Sequence, residues 1–388
     1  MQLIYTNLST MKAKIITRVL EETIINSLST GRVVGLLGAR RVGKTFLLNT
    51  IKDRLTDKKI LVVQGDNLEV SEILSSKRKS LLERLVQGYD LLFIDEAQLI
   101  PEIGANLKLM VDTIPSLSVF ITGSSAFEIK NNTGFPLTGR STFFNLYPFA
   151  QMELKQDFLT AKGSLEQKLV FGNYPQVHNA SSDNERISVL ENIRDGYLLK
   201  DMLMLDNLKG SLFIINLLRL IAFQIGNEVS FSELGRALKA DNKTIQRYLD
   251  LLEKMYVLFS LNGFSRNLRK EYTKSPRYYF WDNGIRNAVI SNYNNLTQRD
   301  DIGKLWENYC ISERLKRNHY LQYRTNNFFW RTYDQKEVDY VEEKENRITG
   351  YEFKWNKSRS TGGKVFTSTY ENSSVEVINQ ENYLDFIV

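Results

Sequence analysis

Residues 33–45 read Val-Val-Gly-Leu-Leu-Gly-Ala-Arg-Arg-Val-Gly-Lys-Thr, an apolar run (Val33 to Leu37) leading directly into the pattern G-x-x-x-x-G-K-T over Gly38 to Thr45. A strand that passes through a glycine-rich turn into a helix is expected to aim successive backbone N–H groups, and the positive end of the helix dipole, at a chain of phosphates. Gly38, Ala39, Arg40, Arg41, Val42, Gly43, Lys44, Thr45 and Phe46 are therefore the expected cradle for ATP. Lys44 would reach the β- and γ-phosphates, and Thr45 would offer a hydroxyl to Mg²⁺. Phe46, Leu47, Leu48 and Ile51 supply an apolar face by which the following helix lies on a sheet. A surface glycine loop that binds nothing is the competing reading, and the flanking strand and helix argue against it.

Such a loop needs a carboxylate at the end of a second buried strand. Leu91-Leu92-Phe93-Ile94-Asp95-Glu96 provides one. Four consecutive apolar residues suit a strand buried on both faces of a parallel sheet, with Asp95 emerging at its C-terminal end to orient Mg²⁺. Glu96 is then the candidate base for the attacking water. Ile60 to Val63 and Val119 to Thr122 read as two further strands. The latter ends in Gly123-Ser124-Ser125, where small hydroxyls would either sense the γ-phosphate or simply form a turn. Leu137-Thr138-Gly139-Arg140 offers an arginine that either acts on a phosphate, in cis or across a subunit interface, or is only solvated.

With these residues the chain resembles the bacterial and archaeal AAA-type ATPases of the archaeal-ATPase-like group. The resemblance is carried by the two motifs together with Asp95-Glu96-Ala97-Gln98, Thr122-Gly123-Ser124-Ser125, Gly139-Arg140 and Leu146-Tyr147-Pro148-Phe149. It implies a C-terminal domain of unknown function with a restriction-endonuclease-like fold. The expected fold class is α/β, in three parts: a P-loop ATPase core (11–155), a helical and winged-helix segment (156–290) and a nuclease-like α/β domain (291–388).

Composition agrees with such a division. The 388 residues exceed one ordinary core, and 42% hydrophobic with 25% charged residues is globular rather than disordered. A single cysteine, Cys310, excludes an internal disulfide, and two histidines, His178 and His319, argue against a zinc site; a reducing cytoplasm is expected. No stretch reaches the roughly 18 uninterrupted apolar residues of a membrane span. The longest candidate, Phe213 to Ile225, is broken by Asn216 and Arg219 and reads as a core helix. The first residues lack the charged start and apolar core of a secretory signal, and Met11 could equally be the start. A net charge of +6 favours an acidic partner only mildly.

In the middle, Phe171-Gly172-Asn173-Tyr174-Pro175 and Tyr197-Leu198-Leu199-Lys200-Asp201 suggest no chemistry and are expected to pack a helical lid. Ser230-Phe231-Ser232-Glu233 is a capping box, with Leu234, Ala237 and Leu238 forming a buried face. A turn through Ala240 and Asp241 leads to a second helix with Ile245, Tyr248, Leu249 and Leu252 inward. The pair, followed by strand-like Val257 to Ser260, resembles a winged helix-turn-helix presenting Lys243, Gln246 and Arg247. The basic segment Arg266, Arg269, Lys270, Lys274 and Arg277, with Glu271 opposing and Tyr272, Tyr278 and Tyr279 interleaved, would suit DNA phosphates. A packing module between domains is the alternative.

Near the C-terminus, Glu307 lies in a helical pattern, Asp339 ends the strand-like Glu337-Val338-Asp339, and Tyr351-Glu352-Phe353-Lys354-Trp355 alternates. An Asp from one strand and an E-x-K from its neighbour would converge two carboxylates and an ammonium. Asp339 and Glu352 would then hold Mg²⁺ or Mn²⁺ while Lys354 positions a water. The order resembles the PD-(D/E)xK nuclease core, with Glu307 matching the helical acid that some members add to the metal site and Arg331 orienting it. An ion-paired strand face without catalysis is the other reading. Three functions follow: ATP-controlled DNA cleavage, a nucleotide-gated DNA- or protein-binding switch with a silent nuclease fold, or self-assembly into homo-oligomers.

Overall fold

The structure, a computed structural model, describes residues 15–124, 137, 139–198, 211–266, 275–356 and 362–388. Five strands form a parallel sheet in the order β2-β3-β4-β1-β5: β1 (Val33–Leu37), β2 (Ile60–Gln64), β3 (Leu91–Asp95), β4 (Ser118–Gly123) and β5 (Ser141–Asn145). Every residue of β1, β3 and β4 is buried, which is why these strands read as unbroken apolar runs rather than alternating ones. All pairings are parallel, so the C-terminal ends of β1, β3 and β4 come out along one edge. There the phosphate-loop helix, Lys44–Arg54, begins, with Leu47, Leu48 and Ile51 turned inward.

A second sheet of six strands is mixed, in the order β11-β10-β9-β8-β6-β7: β6 (Leu258–Gly263), β7 (Arg277–Phe280), β8 (Asn326–Arg331), β9 (Glu337–Lys344), β10 (Arg347–Phe353) and β11 (Ser373–Ile378). The β6–β7 hairpin follows the two short helices and joins β8 in parallel through Asn262 and Gly263, so strands from both sides of residue 290 share one sheet. Its register slips between Phe328 and Trp330, where two steps on β8 oppose three on β9. This bulge at Asp339 and Tyr340 brings Val338 and Val341 into the same small apolar cluster with Phe264, Trp330, Ile348 and Phe366.

A 19-residue helix, Ile302–Tyr320, carries Leu305, Trp306, Tyr309, Cys310, Ile311 and Leu315 into the core. One continuous buried cluster runs from Leu20 and Ile24, through β1, β3 and β4, to Trp306, Tyr383 and Ile387. The segment from Phe213 is a core helix as expected: Ser211–Phe223 buries Ile214, Leu217, Leu218, Ile221 and Ala222. No helix among the described residues is long and apolar enough to cross a membrane.

The helix-turn-helix consists of Phe231–Leu238 and Asn242–Lys254, capped by Ser230, which accepts the Glu233 N–H (3.4 Å), and by Asp241, which accepts that of Thr244 (2.8 Å). Leu234 is buried and Leu238 partly so, but Ala237 faces solvent and Gly235 takes its place inside. Ile245, Tyr248, Leu249 and Leu252 are buried, and Lys243, Gln246 and Arg247 are exposed.

Candidate functional site: the phosphate loop and its partners

The loop turns on Gly43, whose φ of +99° is a left-handed value that a side chain disfavours. At Gly38 a Cβ would lie 2.2 Å from the carbonyl oxygen of Leu146, so the strand end and the Leu146-Tyr147-Pro148-Phe149 segment approach too closely for any other residue. Lys44 is buried and folds its ammonium onto the loop carbonyls of Gly38 (3.0 Å) and Ala39 (2.8 Å).

β4 separates β1 from β3, which puts Asp95 two strand spacings, about 10 Å, from the phosphate-loop strand. Two hydroxyls bridge that gap. Thr45 Oγ1 donates to Asp95 Oδ2 (2.7 Å), and Thr122 Oγ1, from the intervening strand, donates to Asp95 Oδ1. Thr122 Oγ1 also accepts the Glu96 N–H (3.1 Å), holding Glu96 in a left-handed conformation with φ of +54°. Gln98 Nε2 donates to the Glu96 carboxylate and to Ser124 Oγ (3.0 Å). Its other atom, Oε1, is buried and has no hydrogen-bond partner among the described residues.

This donor set fits ATP with Mg²⁺. Lys44 and the loop N–H groups suit phosphate oxygens, Thr45 and Asp95 form the hydroxyl and carboxylate pair that a hard cation takes, and the orphaned Gln98 acceptor suits a water proton beside Glu96. Mg²⁺ at this position would offset charge on the phosphates, leaving orientation and proton acceptance to the chain's own groups.

A cleft of about 510 Å³ opens at the loop, lined by Arg41 to Phe46 and Glu96, and also by Ile15, Phe149, Pro175 and Asn179. Pro175, the last residue of the segment from which no chemistry was expected, thus lines this cleft. Arg41 donates to Gln176 Oε1 (2.8 Å), Phe149 N–H to the Asn173 carbonyl (2.9 Å), and Asn173 N–H to Asp282 (2.7 Å). Sequence reasoning passed over Thr122 and Gln98 as anchors of the acidic pair. It also passed over Arg18, which lines the same cleft and donates to the Val42 carbonyl of the loop (2.8 Å), since a lone arginine ahead of a helix carries no local signal.

Arg140 is not brought to the loop. It precedes β5, its carbonyl accepts the Val33 N–H at the opposite end of β1, and its guanidinium pairs with Asp112. Ser125 and Thr138 lie outside the described residues, as do Leu199, Lys200 and Asp201.

In the second sheet Asp339 Oδ2 accepts the Phe353 N–H (2.8 Å). Burial lifts its carboxyl to about 7, with the Glu307 charge adding to the rise and Lys354 and the Phe353 N–H opposing it. Glu352 Oε1 instead accepts the Gly362 N–H (3.0 Å), and its other oxygen is 3.7 Å from Lys354 Nζ. Glu307 is held by Tyr279 (2.8 Å) and Lys304 (3.2 Å). Among the described residues no group of three or more His, Cys, Asp or Glu side chains is arranged to hold a metal ion. The expected convergence is therefore incomplete: Asp339 meets Glu307 and Lys354, while Glu352 is turned to Gly362 and Lys354. Arg331 pairs with Glu228 (3.2 Å).

The basic hairpin is corrected in part. Arg277 is buried, paired with Glu337 (2.9 Å) and laid over the Phe329 ring, and Tyr278 and Tyr279 are core residues. Although β7 is the edge strand, all four of its residues are buried, which removes these three from a nucleic-acid surface. Arg266 is exposed; Arg269, Lys270, Glu271, Tyr272 and Lys274 lie outside the described residues.

A phosphate loop at the end of a fully buried parallel strand, with an Asp-Glu pair on the strand beyond its neighbour, defines a P-loop NTPase, and residues 30–155 are one. A family profile described as an AAA domain matches those residues. Profiles described as domains of unknown function match residues 162–297 (DUF8612) and 302–383 (DUF4143). An uncharacterized protein of Methanocaldococcus jannaschii is 25% identical over 350 residues, 85% of this chain and 75% of its own. Another, from Haemophilus influenzae, is 23% identical over 338 residues, 80% and 79% of the two chains. The Walker-type ATPase of Pyrococcus abyssi superposes with a TM-score of 0.51 at 17% identity, over 71% of this chain and 96% of that one, a likeness of fold.

Proposed function

We propose that this chain hydrolyses ATP at the phosphate loop and uses its nucleotide state to alter contacts with DNA. Lys44 and the loop from Gly38 to Phe46 hold the phosphates, Thr45 and Asp95 hold Mg²⁺, Ser124 faces the γ-phosphate end, and Glu96 activates water. The observation that carries the reading is the grid in which Thr45 and Thr122 grip Asp95 while Gln98 ties Glu96 to Ser124. It pre-sets the base and the cation ligands before substrate arrives.

DNA contact is assigned to the second helix of the helix-turn-helix, through exposed Lys243, Gln246 and Arg247. A second reading adds metal-dependent cleavage by Asp339, Glu352 and Lys354 with Glu307. Burial lifts Asp339 most and the Glu307 charge adds to the rise; that second contribution favours this reading, because a divalent cation between Asp339 and Glu307 would relieve the repulsion. The direction in which Glu352 faces favours the non-cleaving switch.

One experiment separates them. Purified protein is incubated with linear, single-stranded and branched DNA, with Mg²⁺ or Mn²⁺, with and without ATP, beside Lys354→Ala and the double variant Lys243→Ala/Arg247→Ala. ATP-dependent binding lost in the double variant, without cleavage, is the expected result. Cleavage abolished by Lys354→Ala would establish the second reading, and DNA affinity indifferent to both nucleotide and the double variant would sink the first.

A further inference from the structure

Arg18 is 5% exposed and its guanidinium is shared among three parts of the molecule. Nε donates to Glu153 (2.9 Å), one Nη donates to the Val42 carbonyl inside the phosphate loop (2.8 Å), and the other donates to the Tyr147 carbonyl (2.6 Å) and to the Tyr320 hydroxyl (3.1 Å). The group also sits over the Phe149 ring at 4.8 Å. A trans peptide holds its C=O and N–H in opposite directions, so anchoring the Val42 oxygen fixes where the Gly43 N–H points. That N–H belongs to the phosphate cradle, and Arg18 is the nearest group to a Cβ built at Gly43, at 3.9 Å.

Tyr320 is the last residue of the long helix Ile302–Tyr320. Its hydroxyl accepts from Arg18 and also from the Tyr147 N–H (3.1 Å), and the Tyr147 hydroxyl in turn bonds His319 Nδ1 (2.7 Å). The same rigid helix carries Glu307, thirteen residues or roughly 20 Å back along its axis, beside Asp339. One end of the helix therefore touches the phosphate loop through a single arginine, and the other reaches the carboxylates of the second sheet.

We propose that Arg18 is a positioning residue for nucleotide binding, set in place by Tyr320, so that the C-terminal helix completes the nucleotide site although no part of it touches the nucleotide. The inference rests on ATP turnover at the phosphate loop.

The test uses the full chain with wild type, Tyr320→Phe and Arg18→Lys, reading steady-state ATP turnover, affinity for a fluorescent ADP analogue, and melting temperature. Tyr320→Phe keeps the ring and removes the oxygen that accepts from both Arg18 and the Tyr147 N–H. It should raise KM for ATP and weaken ADP binding about fivefold, the size of one hydrogen bond, with kcat within about twofold. Arg18→Lys keeps the charge but loses the planar fork, and should weaken binding tenfold or more. Wild-type KM and ADP affinity in Tyr320→Phe, whether or not its melting temperature falls, would reduce Tyr320 to a structural residue and overturn the proposal. Should Tyr320→Phe not fold, wild-type nucleotide affinity in Arg18→Lys does the same. A wild type that neither binds nor turns over nucleotide would instead remove the ATPase reading on which the inference stands.

Discussion

In the proposed ATPase, Lys44 would serve binding and Glu96 chemistry. Replacing Lys44 with Ala removes a charge-assisted donor from the cradle, so ATP affinity should fall at least about tenfold and turnover should vanish. Glu96→Gln keeps the shape and the Gln98 contact but loses the proton acceptor. It should retain ATP affinity within about threefold while kcat drops by about 10²–10⁴. Full turnover in Lys44→Ala, or lost binding in Glu96→Gln, would contradict those assignments. Asp339 makes a prediction in pH. Its folded carboxyl titrates near 7, above the ordinary aspartate value, so between about pH 4 and 7 the folded state holds a proton that the unfolded chain has released. Stability from this group is full below the ordinary value and is lost as pH rises to about 7. Asp339→Asn carries no such loss. Melting temperatures taken with chelator present should therefore show the variant gaining on wild type as pH rises from 4 to 7; a constant difference would show that the carboxyl is not held protonated.

Elements differ in how far local sequence predicts them. The two helices of the helix-turn-helix were legible because caps and apolar spacing are short-range: Ser230 caps where expected, Asp241, read as part of the turn, caps the second helix, and Ile245, Tyr248, Leu249 and Leu252 line one side. The adjoining hairpin was misread, because Arg277, Tyr278 and Tyr279 look like a basic aromatic surface until Arg277 is seen on Glu337 and Phe329, Tyr279 on Glu307, and all three buried. Nor does alternation reveal the bulge in the β8–β9 pairing, or that Asp339 accepts the Phe353 N–H while Glu352 accepts that of Gly362. If the second helix meets DNA phosphates, Lys243→Ala/Arg247→Ala should flatten the dependence of log affinity on log salt by about 2, roughly one per lost contact. An unchanged slope measured by anisotropy would move the contact elsewhere.

At the scale of the whole molecule, one apolar cluster passes from the parallel sheet to the last helix, and buried polar groups cross it. Gln151 N–H donates to Glu313 (2.6 Å), which is paired with Lys316 (2.8 Å), both nearly inaccessible, on the long helix. Cutting the chain after residue 290 would expose the β6 edge and strip that helix from the core. Such a fragment should be insoluble or lack a cooperative thermal transition, while the full chain unfolds with its two sheets coupled; a soluble, ATP-hydrolysing fragment would show that the first sheet stands alone. The sequence by itself determined the phosphate loop, the acidic pair and the buried parallel strands, because each is a contiguous run whose chemistry depends on neighbours within a few residues. Only the tertiary structure decided what grips them. Thr122 on Asp95, Gln98 on Ser124, and Arg18 between Val42 and Tyr320 are contacts made across strands or between segments far apart in the chain, and no local pattern encodes which distant partner a buried polar group will find.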